Sequence, residues 1–72
     1  MNEVKPGRYI HFKGNEYLVI GVARHTETQE EFVVYKRSLG DGGLKVRPKT
    51  MFMETVQINE KPVPRFRYLG PE

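Results

Sequence analysis

Apolar and aromatic residues recur along this chain in short runs, separated by segments containing Gly, Pro and polar side chains, a pattern typical of a small all-β protein. Residues 8–12 alternate with a period of two, which predicts a first strand with Ile10 and Phe12 facing the core. Tyr9 and His11 are then expected on the opposite face of that strand.

The next segments predict a hairpin followed by two central strands. Residues 13–16 contain Gly and Asn, which tolerate positive φ, and therefore predict the hairpin turn. Residues 17–23 are apolar on both faces, as central strands are, and Gly21 within them predicts a β-bulge or a sharp bend. Residues 31–37 are also apolar on both faces, so a central position is expected for this strand too.

A glycine-rich loop and a half-exposed strand are predicted next. Residues 38–43 hold three glycines and predict the most flexible loop of the protein. Residues 44–47 alternate, which predicts a strand whose two cations, Lys45 and Arg47, point outward. Pro48 is expected to end this strand because it lacks a backbone N–H.

The C-terminal third predicts one helical turn and several short extended segments. Residues 49–54 lack the two-residue period and predict a single helical turn. Residues 55–58 predict a short strand. Residues 61–64 contain two prolines, which favour an extended segment leading into a final edge strand at 65–69.

Together these elements predict an all-β fold, a small five-stranded barrel with one short helical turn. With 72 residues the chain is expected to form one domain, residues 1–72, that buries only about 60% of its unfolded surface, so any site should be shallow. The side chains expected in its core are Ile10, Phe12, Val19, Phe32, Val34, Leu44, Val46 and Phe52, with Met51 closing it.

Composition excludes several classes of function. The chain has no Cys, so it offers no disulfide framework, thiolate zinc site or thiol nucleophile, and a cytoplasmic location is expected. No run approaches the ~20 apolar residues of a membrane helix, and residues 1–8 do not resemble a signal peptide. We therefore expect no membrane association, no cofactor, and a monomer or weak dimer.

Several blocks of residues, in the same order, resemble one family. They are Gly7-x-Tyr9-x-His11-Phe12-Lys13-Gly14, Tyr17-x-Val19, Ala23-x-His25-Thr26-Glu27-Thr28, Val33-Val34-Tyr35, Gly40-Asp41, Val46-Arg47-Pro48-x-x-Met51-Phe52 and Pro64-Arg65-Phe66. The chain resembles the short bacterial proteins grouped as domain of unknown function 1653. The resemblance implies a small SH3-like β-barrel and no established activity. Members often have Trp where this chain has Lys45 and Tyr where it has Leu39, which argues against an aromatic cage at that loop.

The polar run at residues 24–28 is a candidate site because it joins two apolar strands with a dense set of functional groups. In an extended strand His25 and Glu27 share one face while Thr26 and Thr28 share the other, which argues against a catalytic triad. The alternative is that these groups satisfy the backbone of a turn. His25 and His11 have no identifiable third partner, so no metal site is predicted.

Arg47 and Arg65 are the stronger candidates for recognition. Arginine suits planar, bidentate contact with a carboxylate or phosphate, and these two stand beside Pro48 and Phe66. The alternative is an internal ion pair of either arginine with Glu27 or Glu54.

Two functions from different classes follow. The first is a non-catalytic module that binds a peptide or protein through a barrel face comprising Tyr9, His25, Thr26, Glu27, Tyr35, Arg47 and Arg65. The second is binding of RNA or single-stranded nucleic acid, because residues 33–72 hold eight basic and four acidic side chains and carry the whole net charge of +3. An enzyme is not expected, since the chain shows no nucleophile with a convincing base.

Overall fold

The computed structural model describes residues 4–39 and 42–71. It is all-β with a single helical turn, as predicted. The elements are β1 (Gly7–His11), β2 (Glu16–Arg24), β3 (Glu31–Arg37), β4 (Lys45–Pro48), α1 (Lys49–Phe52), β5 (Thr55–Ile58), β6 (Lys61–Pro64) and β7 (Phe66–Gly70). Gly40 and Asp41 of the predicted flexible loop lie outside the described residues.

Five strands form one antiparallel sheet in the order β4-β3-β2-β1-β7, and β5 and β6 form a separate hairpin. The prediction that β2 and β3 are interior strands and that the last strand lies at an edge is confirmed. Strands β4 and β7 are the two edges, and in the described part of the chain no ladder joins them into a closed barrel. The same residues contain no helix long and apolar enough to cross a membrane.

The predicted bulge and first hairpin are both confirmed. In the β2–β3 ladder Val19 pairs with Tyr35 but Gly21 pairs with Val34, so Ile20 is the extra residue of a bulge. The β1–β2 turn is closed by the amide of Gly14, which donates to the carbonyl of His11 at 2.7 Å.

The core is built from a different set of side chains than predicted. Its buried members are Tyr9, Val19, Val33, Tyr35, Phe52 and Phe66. Val19 and Phe52 were predicted correctly. Ile10, Phe12, Phe32 and Val34 are only partly buried, whereas Leu44 and Val46 are 68% and 61% exposed and Met51 is 44% exposed.

The physical reason is an error of strand phase. Strand β3 is apolar on both faces, and β1 has Ile10 on one face and Tyr9 on the other, so alternation alone does not show which face is covered. The helical turn α1 decides it, because the ring of Phe52 packs edge-to-face on Tyr9 and Tyr35, with centroids 5.4 and 5.7 Å apart. It also stacks on Phe66 at 4.1 Å. We call the face covered by α1 the inner face and the opposite one the outer face.

The two faces of β4 are also exchanged relative to the prediction. Lys45 lies opposite Tyr35 in the ladder and Arg47 opposite Val33, and residues directly opposite each other share a face. The two cations of β4 therefore project to the inner face, while Val46 projects to the outer face. The predicted outward direction of Lys45 and Arg47 is wrong.

Candidate binding site

Four aromatic rings meet at one end of the inner face. His11 of β1, Tyr17 of β2, Tyr35 of β3 and Phe66 of β7 contribute one ring each. The centroids are 4.9 Å apart for His11 and Phe66, 5.5 Å for Tyr17 and Tyr35, and 5.7 Å for Tyr17 and Phe66. All are edge-to-face arrangements, which aromatic pairs favour. The rings form a rigid wall because each lies on a paired strand.

Two arginines complete this group, which we call the aromatic–arginine cluster: His11, Tyr17, Tyr35, Arg47, Arg65 and Phe66. The Nε of Arg47 donates to the hydroxyl of Tyr35 at 3.3 Å. Its guanidinium carbon lies 5.9 Å from the centroid of Phe66, within the range of a cation–π contact. Arg47 is half-buried, and among residues 4–39 and 42–71 no carboxylate lies within 4.0 Å of its guanidinium.

Arg65 is held differently. Its Nη2 donates to Oε1 of Glu54 at 2.9 Å, and its backbone N–H donates to the carbonyl of Glu54, also at 2.9 Å. The internal ion pair considered for this arginine is therefore present. Its Nε is buried and has no hydrogen-bond partner within the described chain, so one donor of this guanidinium is unused.

His11 is the ring of the cluster whose pKa is affected by burial and by the two arginines. Its Nδ1 accepts the backbone N–H of Lys13 at 3.2 Å, so the neutral ring carries its proton on Nε2. Burial lowers the pKa of His11 below its usual value of 6.5, and the positive charges of Arg65, Arg47 and Lys13 lower it further. The imidazole is therefore neutral at pH 7 and offers an N–H donor.

Further positive charge surrounds the cluster. Lys45 is opposite Tyr35 and Arg37 is opposite Tyr17, so both belong to the inner face. Their side chains converge, since a Cβ placed on Gly42 would lie 3.9 Å from Cδ of Arg37 and 3.9 Å from Cε of Lys45. In the described residues Glu54, paired with Arg65, is the one carboxylate in an ion pair with a member of the cluster, so positive charge is in excess at this end of the inner face.

The structure brings together three of the predicted site residues, Tyr35, Arg47 and Arg65. Tyr9 is not part of an exposed face: it is buried in the core, and its hydroxyl donates to the carbonyl of Lys5 at 2.8 Å. Burial also raises the pKa of the Tyr9 phenol. Tyr35 is only 4% exposed, so it presents its hydroxyl to Arg47 rather than its ring to a partner.

His25, Thr26 and Glu27 lie in the exposed β2–β3 turn. The Nδ1 of His25 accepts the backbone N–H groups of Glu27 and Thr28 at 3.1 and 3.3 Å. The hydroxyl of Thr28 accepts the N–H of Glu30 at 3.2 Å. These polar groups hold the turn, as the structural alternative expected, and a binding role for them stays a prediction.

The predicted site residues did not include His11, Tyr17 or Phe66, although Phe66 was considered as the aromatic neighbour of Arg65. A signal was present for Tyr17, which is two residues from the predicted core residue Val19 and so shares its face. His11 shares the face of Tyr9, whose burial only the tertiary structure shows, so the error in strand phase concealed His11. No group of three His, Cys, Asp or Glu side chains suited to a metal ion occurs in the described part of the chain.

Comparison with known proteins places the chain in a family. The family model described as protein of unknown function (DUF1653) matches residues 7–68. This chain belongs to the DUF1653 family. The match includes every member of the aromatic–arginine cluster, from His11 to Phe66, so the cluster lies within the DUF1653 region of the chain.

A solved DUF1653 structure has the same fold. The crystal structure of a protein belonging to DUF1653 from Bordetella bronchiseptica is 41% identical, covers 96% of this chain and 91% of its own, and superposes with a TM-score of 0.83. None of the curated proteins compared with the chain is significantly similar to it. Membership of the DUF1653 family thus supports the fold, and the family description states no activity.

Proposed function

We propose that this DUF1653 protein is a non-catalytic binding module that recognises a carboxylate of a peptide or protein partner at the aromatic–arginine cluster. One observation carries the proposal. In the described residues three cationic side chains are half-buried: Arg47, Lys49 and Arg65. Lys49 is paired with Glu31 and Arg65 with Glu54, whereas Arg47 has no carboxylate partner there.

A partly buried charge is costly unless it is paired, so proteins seldom hold one without a reason. Arg47 is nevertheless held in place by the hydroxyl of Tyr35 and the ring of Phe66. A guanidinium fixed in this way loses little side-chain entropy when it binds a planar anion through two hydrogen bonds. The Nε2–H of His11 supplies a further donor at the same end of the sheet.

A protein carboxylate is favoured over nucleic acid as the ligand. Binding to single strands relies on aromatic rings that stack on bases. Tyr35 and Phe66 are 4% and 7% exposed, so neither offers a ring face to a base. The convergence of Arg37 and Lys45 near Gly42 is the observation that favours RNA or single-stranded DNA as the second candidate, because paired cations there can contact phosphates.

A non-catalytic role is supported by how the polar groups are used. His11 is the natural general base of the cluster, yet its Nδ1 already accepts a backbone N–H. The hydroxyl of Tyr35 is engaged by Arg47. Recognition of a carboxylate requires no proton transfer, so it is compatible with both of these internal hydrogen bonds.

The test is NMR titration of the full chain with an acetylated, amidated peptide containing glutamate, against its glutamine analogue. We expect saturable shifts at the Arg47 Nε–H and at Tyr35 with glutamate only. Arg47→Gln should weaken binding by about tenfold or more, because hydrogen bonds to charged groups are strong. Arg67→Gln is the matched control, since Arg67 is exposed on β7 and has no ion pair in the described chain.

Equal binding of both peptides, or equal loss in both variants, would contradict the proposal. Binding of poly(U) RNA that weakens steeply with added salt and is lost when Arg37 and Lys45 are changed to Gln would favour the second candidate.

A further inference from the structure

We propose that the free edge of β4 is the docking site, and that it takes an extended segment whose side chains alternate between acidic and apolar. The inference rests on the proposed function and specifies the partner of the same site. It starts from β4 being an edge: its only ladder in the described chain is to β3. An edge strand presents alternate N–H and C=O groups that a partner strand can pair with.

The outer side of this edge is apolar. Val46 is 61% exposed and lies opposite Val34, and Ile20, in the bulge that faces Val34, is also exposed. Leu44 immediately precedes β4 and is 68% exposed. Single exposed apolar residues are ordinary, but Val46, Val34 and Ile20 are neighbours across the ladders and Leu44 adjoins them in sequence; we call these four residues the outer apolar patch.

The inner side of the same edge is cationic. Lys45 and Arg47 flank Val46 in sequence and point to the opposite face, so β4 reads cation, apolar, cation. A strand added to the edge continues the sheet, and its side chains share the face of the residues they oppose. The complementary segment therefore reads acidic, apolar, acidic. Its carboxylates reach Lys45 and Arg47 while its apolar side chain covers Val46.

The charge pattern excludes a second copy of this chain as the preferred occupant. Two β4 strands side by side would bring Lys45 and Arg47 of both copies together, and like charges in opposed positions destabilise a sheet. The 72 residues contain no triplet with an apolar residue between two acidic ones. Pro48, which lacks an N–H, limits the addition to residues 44–47. The occupant is therefore a short acidic–apolar strand from another protein.

The experiment uses three synthetic peptides with the full chain, each acetylated and amidated: Thr-Glu-Val-Glu-Val-Thr, its Gln-for-Glu analogue, and its Ser-for-Val analogue. Isothermal titration gives affinity, and hydrogen exchange by NMR follows the backbone amides of residues 44–47. We expect the first peptide to bind and to slow exchange at these amides. Either analogue should bind about tenfold or more weakly, since each loses one of the two complementary faces.

Two matched variants locate the contact. Val46→Glu puts a charge opposite the apolar side chain of the peptide, removes the apolar contact, and should abolish binding. Ile58→Glu makes the same change at an exposed apolar residue of β5 and should leave binding intact. Circular dichroism checks that both variants fold. If Val46→Glu does not fold, Val46→Thr serves instead, with a smaller loss expected.

The outcomes separate this inference from the proposed function. In one outcome Arg47→Gln abolishes binding, the peptide does not slow exchange at the amides of residues 44–47, and Val46→Glu binds normally. The edge of β4 is then the wrong location, and recognition of a carboxylate by Arg47 stands. If Arg47→Gln binds the acidic peptide normally, the proposed function fails. A dimer by ultracentrifugation that Val46→Glu dissociates would make a second copy the occupant and overturn the inference.

Discussion

Removing the ring of Phe52 should destabilise the protein more than any other single truncation in α1. The side chain is 2% exposed, stacks on Phe66 at 4.1 Å, and contacts Tyr9 and Tyr35 edge-to-face. Burial and cavity formation make Phe→Ala changes cost about 3–5 kcal/mol in cores. A domain of this length has about 4–11 kcal/mol of total stability. Phe52→Ala should therefore remove between about a quarter and all of it.

The assay is urea and thermal denaturation followed by circular dichroism. The melting temperature of Phe52→Ala should fall by roughly 12 °C or more, since 1 kcal/mol corresponds to about 4–8 °C in domains of this size. Met51→Ala is the control, because Met51 is the neighbouring residue of α1 and is exposed. Phe32→Ala should cost less than Phe52→Ala because Phe32 is only partly buried. A Phe52 variant that melts within about 5 °C of the parent would refute the packing of α1 against the inner face.

Two further predictions follow from the backbone and from His11. Gly7 has a φ of 140°, and a Cβ there would lie 2.6 Å from the carbonyl oxygen of Gly70. Gly7→Ala should therefore lower the free energy of unfolding by about 1–3 kcal/mol. In the same denaturation assay Gly21→Ala, which has open space around it, should change that free energy by less than about 0.5 kcal/mol. The ring protons of His11, followed by NMR, should titrate below pH 6.5 because its pKa is lowered in the folded state. The unfolded chain then takes up the proton first, so stability is complete above pH 6.5 and falls as the pH drops below it. A pH dependence in this window that persists unchanged in His11→Asn would contradict the prediction.

The sequence alone determined the class of fold and placed the elements within one or two residues of their observed bounds. Alternation and Gly or Pro punctuation predicted β3 and β5 at their observed bounds, and Gly21 marked the bulge because a glycine inside a strand often accompanies one. These features are local, since they depend on each residue's own backbone preferences and on its immediate neighbours. The turn role of His25 and Thr28 was also a local alternative, and their hydrogen bonds span at most three residues.

Tertiary structure alone decided which face of each strand is buried. Residues Phe32 to Tyr35 are apolar on both faces, so hydrophobicity did not distinguish Val33 and Tyr35 from Phe32 and Val34. The choice was made by α1, which covers one face with Phe52. A reversal of strand phase moves every side chain to the other face. It therefore turned Arg47 from a presumed surface residue into the half-buried cation beside Tyr35, and left Val46 exposed at the sheet edge.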